Sequence, residues 1–472
     1  MSLTIDVKDL GAVGDGEADD SRAFEEAVAL LAEHGGGRLV VTAANYSIHP
    51  INLTSNMILD IRDGATISGI PDKSVWPLIE PLPSYGQGRD HPGPRYSSLL
   101  HGEELDNVTI QGYGYNSVLD GNGEYWWDMH RDKTEVYTRG HLIEFLNSTN
   151  LVVDHIRLVN SPFWNNHMFN CDNVTMRRMI VEAPEDSPNT DGWDPDSCRN
   201  VTIEDSFYSG GDDCVAVKSG WDCFGIQFAT PCEHVRVRNV TCHGKFAGIA
   251  IGSELSGGVN DVLVQNVTFL KANKPFNIKT GNTRGGYATN IHYEDIVVDG
   301  TVDEAVHVDC FHYNDSPNPS CPANYRSPLL PRVQNLTMKN MDGTRATIQS
   351  EETYHFACYE NSPIENVVMK DVHFPLPESG KGVAWNCTYV HGSAVDVSPS
   401  PPCASMQGES YRQQSYPLFL AALVMAGIVW ACTTWKLKKR RQALKYEQMQ
   451  AIEASLPTLE DHQERSPMNP IS

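Results

Sequence analysis

A short motif recurs along most of the chain: an Asn, Asp or His followed by alternating apolar and polar residues. It reads NVTI at 107, NLVV at 150, NVTM at 173, NVTI at 200, HVRV at 234, DVLV at 261, NIHY at 290, NLTM at 335 and NVVM at 366. Several copies are 23–30 residues apart, and the intervals of 43 and 45 residues correspond to two turns each. A repeat of this length is typical of a solenoid, and two-residue alternation is typical of a β-strand. The pattern predicts an all-β fold, a parallel β-helix, with one short strand per turn in this register.

The recurring Asn predicts an internal ladder of side-chain amides that hydrogen-bond from coil to coil. Before the first repeat, residues 21–33 have helical spacing, with Phe24, Ala27, Val28 and Leu31 on one face, and the glycines at 35–37 end the helix. We expect this helix to belong to an N-terminal cap of about residues 1–45 that covers the open end of the solenoid. No other strong helix is predicted before residue 416.

Residues 416–435 (YPLFLAALVMAGIVWACTTW) carry no charge and are followed by KLKKRR. At about 1.5 Å per residue such a helix spans the roughly 30 Å hydrocarbon core of a bilayer. We therefore expect a β-helix domain at 1–391, a Ser/Pro-rich stalk at 392–415, a single transmembrane helix at 416–435 and a basic, then polar, cytoplasmic tail at 436–472. A buried core helix is the alternative, and the basic flank argues against it.

Eleven of the 12 cysteines precede the apolar segment, which indicates several disulfides, a free thiol and an oxidising compartment. The sequons at Asn52, Asn147, Asn314 and Asn386 agree, although Asn-Val-Thr copies in the repeat have the structural alternative of the ladder. We expect a single-pass membrane protein whose domain is extracellular or lumenal. Because MSLTIDVKDLG contains no visible signal peptide, a tail-anchored protein with a cytosolic enzyme is the alternative.

The chain has a formal net charge of -24 and no basic stripe to contact phosphates, so we expect no nucleic-acid partner.

The candidate catalytic residues lie in residues 187–220, which contain seven carboxylates. Asp191 and Asp212 are 21 residues apart, so we expect them on adjacent coils of one face. The bend that Gly210 and Gly211 allow could direct Asp212 and Asp213 outward together. Crowded carboxylates raise one another's pKa, which gives a glycosidase its acid and its base.

Four segments, in their order along the chain, resemble the motifs of glycoside hydrolase family 28, the polygalacturonases: Asn189-Thr190-Asp191, Gly211-Asp212-Asp213, GIAIGSE (248–254) and Ile278-Lys279. Stretches such as TRGGY (283–287) resemble the plant-type branch of that family. The resemblance covers about residues 7–387. It implies a right-handed parallel β-helix that hydrolyses α-1,4-galacturonide bonds with inversion, without metal or cofactor. Asp212 would be the general acid, and Asp191 and Asp213 would activate water, with carboxyls about 6.5–9.5 Å apart.

The sequence departs from the family pattern at two positions. Ala247 stands where the family has His. In the family an Arg and a Lys bind the substrate carboxylate together; this chain keeps the Lys as Lys279 but has Asn277 in place of the Arg. Asn cannot replace the charge of Arg, so a rhamnogalacturonan-type or other pectic substrate is an alternative. A non-catalytic polysaccharide-binding β-helix and a calcium-dependent pectate lyase remain further alternatives.

Pectic polysaccharide is thus the expected partner of a monomeric enzyme. The predicted substrate contacts, besides the catalytic aspartates, are Asn189, Lys279, Asn277, His167, Lys218, Arg284, Tyr287 and His243. For Lys218 the alternative is a solvated coil face, and for His243 it is a surface turn. Asp194 and Asp196 fit turn capping, and Glu204 and Asp205 fit a solvated rim.

Overall fold

The computed structural model describes residues 3–378 and 384–407. In chain order its strands are β1 (Leu3–Asp6), β2 (Asp15–Asp19), β3 (Gly37–Val41), β4 (Asn45–Ile48), β5 (Ile51–Asn52), β6 (Met57–Ile61), β7 (Thr66–Gly69), β8 (Leu78–Ile79), β9 (Arg95–Tyr96), β10 (Leu100–Glu103), β11 (Asp106–Gln111), β12 (Val118–Asp120), β13 (Ile143–Leu146), β14 (Thr149–Asp154), β15 (Arg157–Val159), β16 (Asn166–Phe169), β17 (Asp172–Arg177), β18 (Ile180–Glu182), β19 (Trp193–Asp196), β20 (Arg199–Gly210), β21 (Val215–Val217), β22 (Cys232–Gly244), β23 (Ala247–Gly252), β24 (Val259–Lys271), β25 (Lys274–Lys279), β26 (Tyr287–Val302), β27 (Val306–Asp309), β28 (Arg332–Ile348), β29 (Tyr354–Ala357), β30 (Ile364–His373), β31 (Trp385–Thr388) and β32 (Val390–Ser398).

Each coil pairs in parallel with the coil before it, as a parallel β-helix requires. β13, β14 and β15 pair with β16, β17 and β18 of the next coil. β20 then pairs with both β17 and β18, so later coils replace two short strands by one long strand. The prediction of a parallel β-helix is confirmed, and the coils also contain strands outside the register of the repeat motif, because that motif marks a single face. Strands β5, β10, β13, β16, β19, β21, β23, β25, β27, β29 and β31 form a separate 11-stranded sheet.

The predicted Asn ladder is present on the outside of the coils. Asn173 Nδ2 donates to Asn150 Oδ1 at 2.6 Å, and Asn366 Nδ2 donates to Asn335 Oδ1 at 2.8 Å. These residues have φ angles of 56–59°, a left-handed conformation that Asn tolerates better than most residues. Asn150, Asn173 and Asn366 are exposed, so the expectation of an internal ladder is wrong. The apolar residues that alternate with the polar ones fill the interior instead.

The predicted N-terminal helix is confirmed as α1 (Ser21–His34). It ends at Gly35, whose φ of 82° lets its N–H reach the last carbonyls of the helix. Two further helices, α2 (Glu124–Arg131) and α3 (Asp222–Phe228), were not expected, because seven or eight residues give little periodicity to detect. Short 3₁₀ helices lie at Val7–Leu10, Lys73–Val75 and Ala404–Met406.

Four disulfides within the described residues confirm the expectation of several: Cys214–Cys242, Cys223–Cys321, Cys310–Cys358 and Cys387–Cys403. The predicted domain boundary at residue 391 is too early, since β32 pairs with β30 and the last disulfide joins Cys387 to Cys403 across that point. The chain divides into the units Met1–Glu409 and Ser410–Ser472. No helix of residues 3–378 and 384–407 is long and apolar enough to cross a membrane, and the predicted span at 416–435 lies outside the described residues.

Candidate functional site

A cavity of about 320 Å³ lies over the middle of the 11-stranded sheet. Asp191, which precedes β19, and Asp212 and Asp213, which precede β21, all line it, as do Lys218 and Lys279. The structure thus brings together the three aspartates that the sequence singled out. One oxygen from each of the three carboxylates lies within 4.8 Å of the others.

The bend before Asp212 is built around the buried ring of Tyr208. The Tyr208 hydroxyl lies 2.9 Å from the Asp212 carbonyl oxygen and 3.0 Å from that of Thr190 on the preceding coil. A Cβ atom at Gly210 would lie 2.4 Å from this hydroxyl, and one at Gly211 would lie 2.0 Å from a backbone carbonyl. Both positions therefore require glycine for close approach, as the expected bend implied.

Asn189 contacts Asp212 from the preceding coil and is itself held by Arg139. Asn189 Nδ2 donates to Asp212 Oδ2 at 3.4 Å, while its Oδ1 accepts from Arg139 Nη2 at 2.8 Å. The guanidinium of Arg139 is buried and also donates to the carbonyl oxygens of Pro162 and Pro188 at 3.0 and 2.9 Å. The Asn189 amide is consequently fixed with its NH₂ group toward the carboxyl.

Asp213 is held from the opposite side. Lys279 Nζ donates to Asp213 Oδ2 at 2.9 Å, and the backbone N–H of Ala247 donates to Oδ1 at 2.9 Å. The ion pair is mostly buried, with side-chain exposures of 20% for Lys279 and 3% for Asp213. Both oxygens of this carboxylate therefore have defined partners.

The pKa of Asp212 is raised well above its ordinary value, first by burial and then by the charges of Asp191 and Asp213. Burial, followed by the charge of Asp194, raises the pKa of Asp191 in the same direction. Lys279 lowers both pKa values but does not cancel the increase. The site can therefore keep a carboxylic acid protonated at a pH where an exposed aspartate is ionised.

Lys218 is buried at the floor of the cavity and is not on a solvated face. Its Nζ lies 3.4 Å from Asp194 Oδ1, 3.7 Å from Glu254 Oε2 and 3.8 Å from Asp191 Oδ2. It also lies 4.4 Å from the ring centroid of Trp164. Burial alone would lower the pKa of Lys218, but these carboxylates hold it above its ordinary value. Asp194, whose pKa burial raises to about 8, thus faces Lys218 from strand β19 and is not a turn cap.

The three carboxyls lie close together. One oxygen each of Asp191, Asp212 and Asp213 lies within 4.8 Å of the others, as expected from neighbouring strands of a parallel sheet that are about 4.8 Å apart. This distance joins single oxygen atoms, so the separation of about 6.5–9.5 Å between the carboxyl groups of an inverting pair stays a prediction. A single water molecule could hydrogen-bond to Asp191 and Asp213 together at this spacing.

Four of the predicted substrate contacts do not line the cavity. His167 is fully buried, with Nδ1 2.8 Å from Glu144 Oε1 and Nε2 3.6 Å from Asp196 Oδ2. Arg284 is 2% exposed and donates to Asp222 Oδ1 at 2.6 Å, which ties TRGGY to α3. These two residues are corrected to buried structural ion pairs, because segments that cover the sheet remove them from solvent.

Tyr287 and His243 are the other two predicted substrate contacts that do not line the cavity. Tyr287 packs against Gly258, where a Cβ atom would lie 2.3 Å from its ring, and the Arg332 guanidinium lies 5.4 Å from the ring centroid. His243 lies in β22 in register with Ser209, outside the cavity lining. Asn189, Asn277, Lys218 and Lys279 do line the cavity, as predicted from their positions in the motifs.

Several site residues were not predicted from the sequence. Arg89 lines the cavity from the segment before β9 and pairs with Glu254 Oε1 at 2.9 Å. His312 also lines the cavity, and partial burial, followed by the charge of Lys279, lowers its pKa to about 4. Glu254 ends the GIAIGSE segment and could have been suspected there. Arg89 and His312 lie on irregular segments without a periodic signal.

The chain resembles known proteins over most of its length. The family described as "Glycosyl hydrolases family 28" matches residues 78–399. A Vitis vinifera protein named "Probable polygalacturonase" is 34% identical over 411 residues, which are 86% of this chain and 81% of that protein. A Persea americana polygalacturonase is 28% identical over 82% of this chain and 77% of that protein. The crystal structure of a hyperthermoactive exopolygalacturonase from Thermotoga maritima has a TM-score of 0.66 at 26% identity, covering 84% of this chain and 88% of that one. The chain therefore belongs to glycosyl hydrolases family 28, and it is a glycoside hydrolase.

Proposed function

We propose that this protein hydrolyses α-1,4-galacturonide bonds of pectic polysaccharide with Asp191, Asp212 and Asp213 as its catalytic residues. The observation that carries the proposal is their convergence, within 4.8 Å, in a cavity that also contains Lys218 and Lys279. Family membership supports the reaction class, and the polygalacturonase names of the relatives support the substrate class.

Asp212 is the general acid in this proposal because of its position in the Gly211-Asp212-Asp213 motif, and its raised pKa, which Asp191 shares, lets the site keep the proton that the glycosidic oxygen must receive. Asp191 and Asp213 hold one water molecule and accept its proton as its oxygen attacks the anomeric carbon. The bond from that carbon to the leaving oxygen breaks, and the leaving oxygen takes the proton of Asp212. Direct attack by water inverts the anomeric configuration, which NMR observation of the first product tests.

The positive charge in the cavity favours an anionic sugar. Lys279 faces one carboxylate and Lys218 faces three, so Lys279 has more capacity to attract a uronate. Asn277 Oδ1 is buried and has no hydrogen-bond partner among the described residues, and it could accept a hydrogen bond from a sugar hydroxyl. This atom favours rhamnogalacturonan-type pectin as the second candidate substrate.

We further propose that products leave as single sugar units, because one side of the sheet is covered. Along one outward row of the 11-stranded sheet, His101, Glu144 and His167 are at most 6% exposed. Further along the same row His307 is 5% exposed, but His355 and Asn386 on the last two coils are partly exposed. A long chain can therefore extend from the cavity toward the later coils.

The cover on the closed side is aromatic. The ring of Trp164 lies 5.0 Å from that of His167 and packs with Leu82, Tyr85 and Phe163 in a separate apolar cluster. A substrate chain would have to displace this cluster to continue past the cavity. The Thermotoga maritima protein of similar structure is also an exopolygalacturonase.

A reducing-sugar assay on polygalacturonate and rhamnogalacturonan tests the proposal. We expect faster release from polygalacturonate, with or without EDTA, without an ultraviolet-absorbing unsaturated product, and with a monosaccharide as the first product on chromatography. EDTA-sensitive unsaturated product would indicate a lyase. Binding of either polymer without release would indicate a non-catalytic receptor, and a ladder of oligosaccharides would contradict release of single units.

Anchoring by residues 416–435, with the β-helix domain extracellular or lumenal and glycosylated, is likewise a proposal. Its support is the uncharged segment, the basic KLKKRR flank, the sequons and four disulfides in the described residues. Membrane fractionation before and after deletion of residues 410–472 tests it. Equal partitioning of both forms into the soluble fraction would contradict the anchor.

A further inference from the structure

Two histidines and an aspartate lie close together where β27 ends, beside the catalytic cavity. One donor atom each from His307, Asp309 and His312 lies within 4.8 Å of the others. The spacing His-x-Asp-x-x-His places the first two on the strand and the third in the following turn. His312 is also part of the cavity lining, so this cluster shares a wall with the three aspartates.

His307 is oriented as a metal-binding imidazole usually is. Its Nδ1 lies 2.7 Å from Glu304 Oε2, which fixes the ring and favours the tautomer with the proton on Nδ1. Its Nε2 is buried, has no hydrogen-bond partner among residues 3–378 and 384–407, and lies 3.9 Å from Asp309 Oδ2. The residue is 5% exposed, so this lone pair faces the cluster and not bulk water. Asp309 Oδ1 is taken by the N–H of Phe311 at 2.7 Å, which leaves Oδ2 available.

Other groups of histidines and carboxylates in the described residues already contain a protein cation. Arg95 donates to both oxygens of Glu144 at 2.8 Å in the group with His141 and His167. Arg139 occupies the same position between Asp90 and Glu135, and Lys279 pairs with Asp213. For Asp309, by contrast, no Arg or Lys is within ion-pair distance in the part of the chain that is described. Asp309 is therefore a carboxylate beside two imidazoles whose charge no Arg or Lys of the described residues pairs with.

We propose that His307, Asp309 and His312 bind a Zn²⁺ ion. Two imidazole nitrogens and one carboxylate oxygen are donors that zinc accepts, and three protein ligands leave a fourth tetrahedral position open. Glu304 is the outer partner that orients His307. The ion is not a reactant in bond cleavage. Because His312 also lines the catalytic cavity, zinc binding is coupled to substrate affinity. This coupling is the second part of the proposal, and it rests on the proposed function.

Isothermal titration of ZnCl₂ into EDTA-treated, dialysed, tag-free protein tests the site. The variants are His312→Ala, which removes a ligand in an exposed turn, and Glu304→Gln, which removes only the outer partner. His234→Ala is the matched control, since it removes an exposed histidine that faces a carboxylate, Asp261, far along the chain. Thermal melts of all proteins establish that each is folded before titration.

We expect wild type and His234→Ala to bind one zinc ion per chain with equal affinity. Glu304→Gln should weaken binding by about 10–100-fold, and His312→Ala by at least as much. Absence of saturable one-to-one binding by wild type, or equal affinity in all four proteins, would overturn the site. These outcomes are independent of hydrolysis, so they are separable from a failure of the proposed activity.

The coupling has its own measurement, namely KM for polygalacturonate with and without zinc. We expect KM to change in wild type and His234→Ala but not in His312→Ala. An unchanged KM in wild type at saturating zinc would contradict the coupling and leave the binding result standing.

Discussion

Replacement of Lys279 by Met removes the ammonium that faces Asp213 while it keeps most of the side-chain volume. At 2.9 Å and an effective dielectric constant of about 20, the lost attraction is about 6 kcal/mol. Part of this is regained because the ammonium no longer has to be desolvated. Since a buried carboxylate is left without its partner, we expect Lys279→Met to lower the free energy of unfolding by about 3–5 kcal/mol near pH 7.

The sign of the pH dependence follows from the same contact. Lys279 lowers the pKa of Asp212 and of Asp191, so its removal raises both further above their unfolded values. A carboxyl with a raised folded pKa costs stability as the pH rises from about 4 through that pKa. The deficit of Lys279→Met relative to wild type should thus be small below about pH 4 and grow toward neutral pH.

Urea denaturation between pH 4 and pH 8 measures this effect. The matched control is Lys271→Met, which breaks an ion pair of 2.7 Å with Glu185 whose partners are 38% and 43% exposed. We expect about 0–1 kcal/mol for this control, without a comparable pH dependence. Equal losses in the two variants, or a Lys279→Met deficit that shrinks as the pH rises, would refute the account of the site's electrostatics.

Two further predictions concern the scaffold. Asn173→Ala breaks the exposed amide ladder to Asn150 and places Ala at a φ of 59°. We therefore expect the free energy of unfolding, measured by urea denaturation, to fall by about 1–2 kcal/mol. A change near zero would show that the ladder does not stabilise the fold. Glu144→Gln leaves the buried Arg95 without its carboxylate, for which we expect about 3–5 kcal/mol near neutral pH. Burial opposes ionisation of Glu144, but Arg95 and the adjacent histidines hold its pKa well below the ordinary value. The difference in the free energy of unfolding between wild type and Glu144→Gln should therefore decrease as the pH falls below about 4. A difference that does not depend on pH would contradict an electrostatic cause.

The repeat motif was informative about the fold because its first residue, Asn in most copies and His or Asp in two, has the same left-handed conformation each time. Asn150 and Asn173 are both left-handed and mutually hydrogen-bonded, so their spacing in the sequence equals the length of a coil. By the same reasoning, the separation of Asp191 and Asp212 predicted that they lie side by side. Sequence separation was sufficient for residues on one face, because residues one coil length apart lie on neighbouring strands of the parallel sheet.

The sequence was less informative about what covers the coils. His167 alternates outward in β16 as expected, but Trp164 and the segment around Tyr85 bury it. Irregular segments have no period, and their contacts arise from residues more than a hundred positions apart, such as Tyr85 and Asp196. For the same reason the buried roles of Lys218 and Asp194 could not be read from the alternation of their own strands.

The C-terminal boundary failed for a different physical reason. Residues 392–398 contain small and polar side chains typical of a linker, yet they pair with β30 because the last coil offers an open strand edge. Composition describes what a segment can bury, whereas an edge also offers backbone hydrogen bonds that composition does not show.

The most direct test of the catalytic account is the turnover rate of Asp212→Asn on polygalacturonate. Asn keeps the shape of the side chain but cannot deliver the proton, so we expect kcat to fall by at least about 100-fold. Asp120→Asn is the control, since Asp120 is another mostly buried carboxyl with a raised pKa but lies outside the cavity lining, and it should keep wild-type kcat. Retention of more than roughly a tenth of the wild-type kcat by folded Asp212→Asn would contradict the assignment of Asp212 as the acid.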